Sequence, residues 1–487
     1  MIAEQSGSSA AEGSSLFAGA VWATLNAGLS VAFPLLLFVF FARVVPPAQL
    51  GVAAAALAAL ELIKALGPQG LYEALLQGEA RLEEQQAATG LLLAAGAAGA
   101  ASFVILTFAA SGVWSELRGM RGAVALLAPK VLFDLLLLQP QAALARRAAF
   151  RPLAARVMLA NLLAAVVGVG VALGVKPLWG LIGAYLAQSV FLFLFTAAWS
   201  RAFARPVWAP AALRPMARQA GLASAVRLAG AANNYLDQVL LALFVPAAGL
   251  ARFNLGKRIE ATLVTAQAAF SGVLFQPAFA AGDPQQRAQV IRRGRALLTA
   301  ACGLPTAIFA ANAEPLITLV FGARWAPAAV PAVLLAVGGL ARLHGGVHGA
   351  LLSVSGRNGG LLTYAVASAV AGAAALIVTA PFGLTAIAAA LAAKNLIALA
   401  AVAVMTRADA PRPILTLMRD AVVPTLAAWL SALAAAQAMR LTGVDPLAVV
   451  AVSAAVGLAV GLWSVRGGLV ELVRERRLPV GEPAPCR

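Results

Sequence analysis

Residues 87–112 read AATGLLLAAGAAGAASFVILTFAASG, a run of 26 without one Asp, Glu, Lys or Arg. Coiled as a helix it rises about 39 Å, and roughly 20 apolar residues already cross the hydrocarbon of a bilayer. A helix apolar on every side belongs in lipid or in the core of a large protein. Outward from it the same pattern recurs. Apolar runs between charged, Pro or Gly breaks fall near 16–42, 50–76, 121–145, 153–174, 178–200, 219–245, 250–278, 296–320, 328–352, 359–380, 383–406, 420–440 and 446–465. These predict an all-α membrane protein with about 14 transmembrane helices.

Composition leads to the same class. Of 487 residues, 62% are hydrophobic and 11% charged, against about 25% charged in a soluble domain. The net charge of +17 is no nucleic-acid footprint, because the arginines cluster in short links between apolar runs. With the N-terminus inside, 22 Lys and Arg fall in cytoplasmic links and the tail and 7 in the opposite links. That bias places both termini in the cytoplasm, as expected of a multi-pass protein of a bacterial inner membrane. Residues 1–15 carry no Lys or Arg, so no signal-peptide n-region is expected. Cys302 lies in an apolar run and Cys486 in the tail. Their placement predicts no disulfide.

An internal repeat divides the chain. Val45-Pro46-Pro47-Ala48-Gln49-Leu50 returns as Val245-Pro246-Ala247-Ala248-Gly249-Leu250, and Trp179-Gly180-Leu181 as Phe382-Gly383-Leu384. The organisation this predicts is a cytoplasmic tail over 1–15 and an N-lobe of spans 1–6 over 16–218. A C-lobe of spans 7–12 over 219–410 follows, then a helix pair over 411–465 and a basic tail over 466–487. Six spans is an even number, so the lobes would be parallel, pseudo-symmetric repeats, a transporter architecture.

Seven basic residues lie well inside predicted spans, away from their ends: Lys64, Lys130, Arg227, Lys257, Arg258, Arg342 and Lys394. A charge at membrane depth costs about 2.5–3.5 kcal/mol on insertion scales, so such residues face protein or water. Together they predict a cationic cavity for an anionic substrate, arginine suiting phosphate through its planar fork. A second reading stands beside it. Glu61 and Lys64 are three apart and Lys130 and Asp134 four apart, spacings at which a helix neutralises its own charges. Lys257 and Glu260 share the first spacing, whereas Arg227, Arg258 and Arg342 have no acidic neighbour in sequence. Asp237, in Asn233-Asn234-Tyr235-Leu236-Asp237-Gln238, is a candidate for a coupling proton or sodium ion, as are Asp134 and Glu61. His344 and His348 have a spacing that permits a metal, but Gly345, Gly346 and Gly349 around them favour close helix packing. No metal or other cofactor is expected. No P-loop, HExxH or GxSxG occurs, and every link is short, which points away from an enzyme.

Several stretches resemble one family. Ala42-Arg43-Val44-Val45-Pro46-Pro47-Ala48-Gln49-Leu50-Gly51, Gly67-Pro68-Gln69-Gly70-Leu71-Tyr72-Glu73-Ala74-Leu75-Leu76-Gln77 and Ala145-Arg146-Arg147-Ala148-Ala149-Phe150-Arg151 are similar, in order and spacing, to motifs of the polysaccharide transporters. Phe321-Gly322-Ala323-Arg324-Trp325-Ala326-Pro327-Ala328-Ala329 and Gly356-Arg357 continue the match. These transporters belong to the multidrug/oligosaccharidyl-lipid/polysaccharide exporter superfamily. The resemblance implies a flippase for undecaprenyl-diphosphate-linked oligosaccharide working by alternating access in exopolysaccharide or O-antigen biosynthesis. It also implies membrane lipids, a polysaccharide polymerase and export machinery as partners. The first arginine, Arg43, stands at the end of span 1 rather than within it, unlike in the related lipid II flippases. A cation-coupled multidrug exporter is the alternative, followed by a membrane polysaccharide polymerase or ligase.

Overall fold

The computed structural model describes residues 35–77, 81–147, 149–270, 275, 279, 283–407, 409, 414–441 and 445–474. The predicted N-terminal tail, most of span 1, the end of span 8 and residues 475–487 of the predicted basic tail, Cys486 among them, lie outside these residues, whereas residues 466–474 continue the last helix. Among the described residues every element is helical. The chain forms two compact units, Met1–Ala251 and Arg252–Arg487.

The first unit opens with α1 (Leu35–Val44), α2 (Pro47–Leu66), α3 (Leu71–Gln77) and α4 (Leu82–Val113). Next come α5 (Ser115–Arg118), α6 (Arg121–Ala125), α7 (Pro129–Leu136) and α8 (Leu138–Arg146). The long helices α9 (Phe150–Gly174), α10 (Pro177–Ser200) and α11 (Ala217–Leu241) follow, and α12 (Ala247–Phe270) begins before the unit ends. Two predicted spans are broken, each by proline. Span 2 stops at Leu66 because Pro68 holds Gly67 extended (ψ 170°). Span 4 breaks ahead of Pro129, which has no N–H to donate. The chain tightens there, with Leu127 N–H on the Val124 carbonyl (2.9 Å) and Ala128 N–H on that of Ala125 (3.0 Å). Lys130 stands one residue past this break. The core is built from Leu60, Leu71, Leu92, Phe103, Leu127, Val131 and Leu135.

The second unit continues through α13 (Pro284–Leu298), α14 (Leu304–Ala311), α15 (Ala313–Phe321), α16 (Ala329–Val354), α17 (Asn358–Thr379), α18 (Leu384–Met405), α19 (Ile414–Leu441) and α20 (Pro446–Arg474). A π-turn over Thr299–Gly303 separates α13 from α14, where Pro305 removes a donor from the regular ladder. The last two helices pack on α14, Ala428 meeting Leu304 and Ala307.

Eleven helices among the described residues are long and apolar enough to cross a membrane. They match predicted spans 2–6 and 9–14. The helices at spans 7 and 8, α11 and α12, form where expected but are not among the eleven. Asn233, Asn234, Asp237 and Gln238 on one, and Arg252, Lys257, Arg258 and Glu260 on the other, make them too polar. Leu173, Val166, Val370, Ile397 and Leu430 are exposed, as lipid-facing residues of a multi-pass protein must be.

The two similar Val-Pro links have the same backbone hydrogen bonds. Val45 N–H reaches the Phe41 carbonyl (2.8 Å) and Leu50 N–H that of Pro46 (3.1 Å). Val245 repeats the first on Leu241 (3.0 Å) and Leu250 the second on Pro246 (3.1 Å). The second sequence match does not keep its register. Gly180 lies inside the first turn of α10, whereas Gly383 precedes α18 at φ 87°.

Candidate functional site

Within the first unit, α2 and α7 present one lysine and one carboxylate each, and the four close into a ring. Lys130 Nζ lies 2.6 Å from Asp134 Oδ2 and 3.5 Å from Glu61 Oε1, and Lys64 Nζ is 3.2 Å from Asp134 Oδ2 and bonded to Glu61. Lys130 also donates to Ser189 Oγ on α10 at 3.2 Å. Each lysine therefore touches both carboxylates, and the ring is neutral. Charges largely withdrawn from solvent, as here, are best tolerated when each is paired.

The ring borders a cavity of about 320 Å³. Lys64, Lys130 and Asp134 form one wall, Gln69, Gln141, Gln188 and Ser189 supply polar groups, and Arg227 lies at its edge. Lys130 and Ser189 sit near the midpoints of the candidate spans Arg121–Arg146 and Pro177–Ser200, so the cavity reaches membrane depth. Arg227 on α11 is not without an acid, as its sequence neighbourhood implied. Its Nη2 donates to Glu73 Oε1 at 2.5 Å and its Nε to the same carboxylate at 3.0 and 3.3 Å, while the guanidinium lies 5.5 Å from the Tyr72 ring centre. Glu73 and Tyr72 are adjacent on α3, which exists as a separate helix because of Pro68. Gly70 holds α3 against α11: its N–H donates to Ser224 Oγ at 2.8 Å, and a Cβ there would stand 2.0 Å from the Ala220 carbonyl oxygen.

The second unit has its own cluster between α12 and α16. Glu260 forms an ion pair with Lys257 at 2.8 Å and accepts a hydrogen bond from Arg342 at 2.7 Å, so Arg342 too has an acidic partner, 82 residues away. Arg258 Nε donates to Asn254 Oδ1 at 3.1 Å. Helix approach at Gly339 makes this possible, since a Cβ there would lie 3.2 Å from Glu260 Cα. Lys394 on α18 donates to Ser368 on α17 at 3.2 Å.

Thus the structure gathers Lys64, Lys130, Arg227, Asp134 and Glu61 in one place and Lys257 and Arg342 on Glu260 in another, while Arg258 donates to Asn254 on its own helix. Asp237 is buried, its Oδ1 accepting from Gln238 N–H at 2.8 Å. Among the described residues three arginines expected in cytoplasmic links, Arg156, Arg293 and Arg295, are buried inside helices. Arg156 finds Thr196 Oγ1 at 2.7 Å and Arg295 finds His348 Nε2 at 2.9 Å. Helices that outrun their apolar stretches carry these flanking arginines inward, where acceptors await them. Because arginine only donates, Nε2 is the acceptor, and Nδ1–H of His348 donates to Thr406 Oγ1 at 2.7 Å. Both nitrogens are engaged, and no group of three metal-ligating side chains exists among the described residues. Gln188 and Ser189 escaped a charge-based reading, although they interrupt an otherwise apolar run. Gln69 and Glu73 stood in a stretch noted only for its resemblance.

A family model described as "Polysaccharide biosynthesis protein" matches residues 40–330. No curated protein sequence matches the chain. Among solved structures, the chain is similar to the lipid II flippase MurJ in its inward closed conformation, with TM-score 0.71 and 10% identity over 94% of this chain and 99% of that one. It is also similar to an inward-facing multidrug resistance MATE family transporter of the MOP superfamily, with TM-score 0.57 and 14% identity over 80% of this chain and 94% of that one. These likenesses establish the fold.

Proposed function

Since the chain belongs to the polysaccharide biosynthesis protein family, we propose that it is a flippase moving undecaprenyl-diphosphate-linked oligosaccharide across the bacterial inner membrane by alternating access. The observation that carries this reading is where unbalanced charge sits among the membrane helices. α2 and α7 each hold one lysine and one carboxylate, whereas the sequences of α12, α16 and α18 hold Arg252, Lys257, Arg258, Arg342 and Lys394 and one carboxylate, Glu260. A surplus of cations at membrane depth is tolerated where it serves an anionic cargo, and guanidinium forks match the oxygens of a diphosphate. A carrier of cationic drugs calls for the opposite surplus. On this reading both termini are cytoplasmic, and the cargo passes to a polysaccharide polymerase and export machinery.

The test is reconstitution in liposomes with fluorescent undecaprenyl-diphosphate oligosaccharide. Wild type moves the lipid between leaflets, and Arg258→Ala and Arg342→Ala at matched protein reduce the rate at least tenfold. Transport by wild type with both variants unimpaired would refute the diphosphate assignment. An absence of transport under imposed proton, sodium and voltage gradients would refute the flippase reading.

A further inference from the structure

We propose that the cavity of the first unit is a subsite for the uncharged sugar of the cargo, read by the amides of Gln69, Gln141 and Gln188. This rests on the flippase reading above and assigns part of the cargo to particular residues. The cavity looks cationic by residue type, with Lys64, Lys130 and Arg227 on its lining, yet its charges are committed. Both lysines close the ring with Glu61 and Asp134, and Arg227 makes a forked contact with Glu73. An anion entering here would have to pull ammonium groups away from buried carboxylates and leave those carboxylates unpaired, the costly way to disturb such a cluster. A neutral ligand leaves the ring intact.

The amides remain as the cavity's available chemistry. The side chains of Gln69 and Gln141 have no protein partner among the described residues. Gln188 donates from Nε2 to Asn161 Oδ1 at 2.6 Å, which leaves its carbonyl oxygen as an acceptor. A carboxamide offers a donor and an acceptor side by side, the arrangement that two neighbouring hydroxyls of a sugar complete. Leu135, Leu138 and Leu192 line the same space and can cover the C–H face of a ring. The volume of about 320 Å³ lies at the small end of ligand pockets, which run from about 300 to 1,000 Å³. That suits the first sugar of a chain rather than the whole oligosaccharide.

The test uses purified full-length protein in nanodiscs and equilibrium binding of four probes. These are undecaprenyl diphosphate without sugar and the same lipid bearing glucose, galactose or N-acetylglucosamine. Wild type binds at least one sugar-bearing lipid roughly tenfold more tightly than the bare diphosphate, the worth of about two neutral hydrogen bonds. Gln69→Leu and Gln141→Leu each lower that preference several-fold, and the double variant abolishes it, while affinity for the bare lipid stays as in wild type. Both substitutions replace half-buried amides with side chains of similar size, and unchanged thermal unfolding verifies that the fold is kept. Wild type that prefers no sugar-bearing lipid, or variants that keep the preference, would overturn the subsite and leave the flippase reading standing. Equal loss for all four probes would reassign the cavity to the diphosphate. Failure of wild type to bind any probe would bring down both readings.

Discussion

Asp134 offers the sharpest test of the ion ring. It lies 2.6 Å from Lys130 and 3.2 Å from Lys64, and the side chains of all four members are 10–20% exposed. Asp134→Ala leaves two ammonium groups to share Glu61, and removing one member of a buried pair costs about 3–5 kcal/mol. Deleting charge in balance behaves differently. Lys130→Met with Asp134→Leu leaves the Glu61–Lys64 pair on α2 and puts apolar groups of similar size in place of the rest. That double variant is expected within about 1 kcal/mol of wild type, because well-packed apolar replacements of buried ion pairs are often neutral. The pair should therefore show a coupling of more than about 2 kcal/mol in a double-mutant cycle. The assay is equilibrium unfolding in mixed micelles titrated with sodium dodecyl sulfate, followed by helical circular dichroism. A cost below about 1 kcal/mol for Asp134→Ala, or simple additivity of the two substitutions, would refute the claim that the ring is desolvated and closed.

Gly70→Ala puts a Cβ 2.0 Å from the Ala220 carbonyl oxygen, so α3 must leave α11. The expected loss is about 1–3 kcal/mol in the same unfolding assay, with a parallel fall in transport as the Arg227–Glu73 contact opens. Glu260→Gln removes the carboxylate that Lys257 and Arg342 share and is expected to destabilise by about 3 kcal/mol. Glu260→Asp, which keeps the charge on a shorter stem, should recover part of that loss. A green fluorescent protein fused after Arg487 is expected to fluoresce and an alkaline phosphatase fusion there to stay inactive. The opposite pattern would reverse the orientation read from the arginine bias.

Hydropathy alone places most of the helices, because a span must satisfy its backbone internally and shows its length in the sequence. What it hides is what happens at each proline. Pro68 turns the end of span 2 into a separate helix carrying Glu73, with Gln69 in the turn before it, and Pro129 sets Lys130 just beyond a break. The i,i+3 and i,i+4 pairs around Lys64 and Lys130 are legible as local neutralisation. That they share carboxylates across 70 residues is not, since pairing between helices depends on packing that no local spacing encodes. Arg227 and Arg342 make the same point from the other side, for each finds its carboxylate on a distant helix of its own unit. The amides escaped because glutamine carries no charge to stand out against an apolar run.

The neutrality of the ring has an electrical consequence. One elementary charge carried through the membrane potential exchanges about 2.3 kcal/mol per 100 mV. A closed set of two lysines and two carboxylates exchanges none, however far α2 and α7 travel together along the field. A voltage across the bilayer thus does no work on this cluster. On α12, α16 and α18, whose sequences hold Lys257, Arg258, Arg342 and Lys394 but one carboxylate, Glu260, the same voltage acts on net charge, and any displacement along the field is driven or opposed by it.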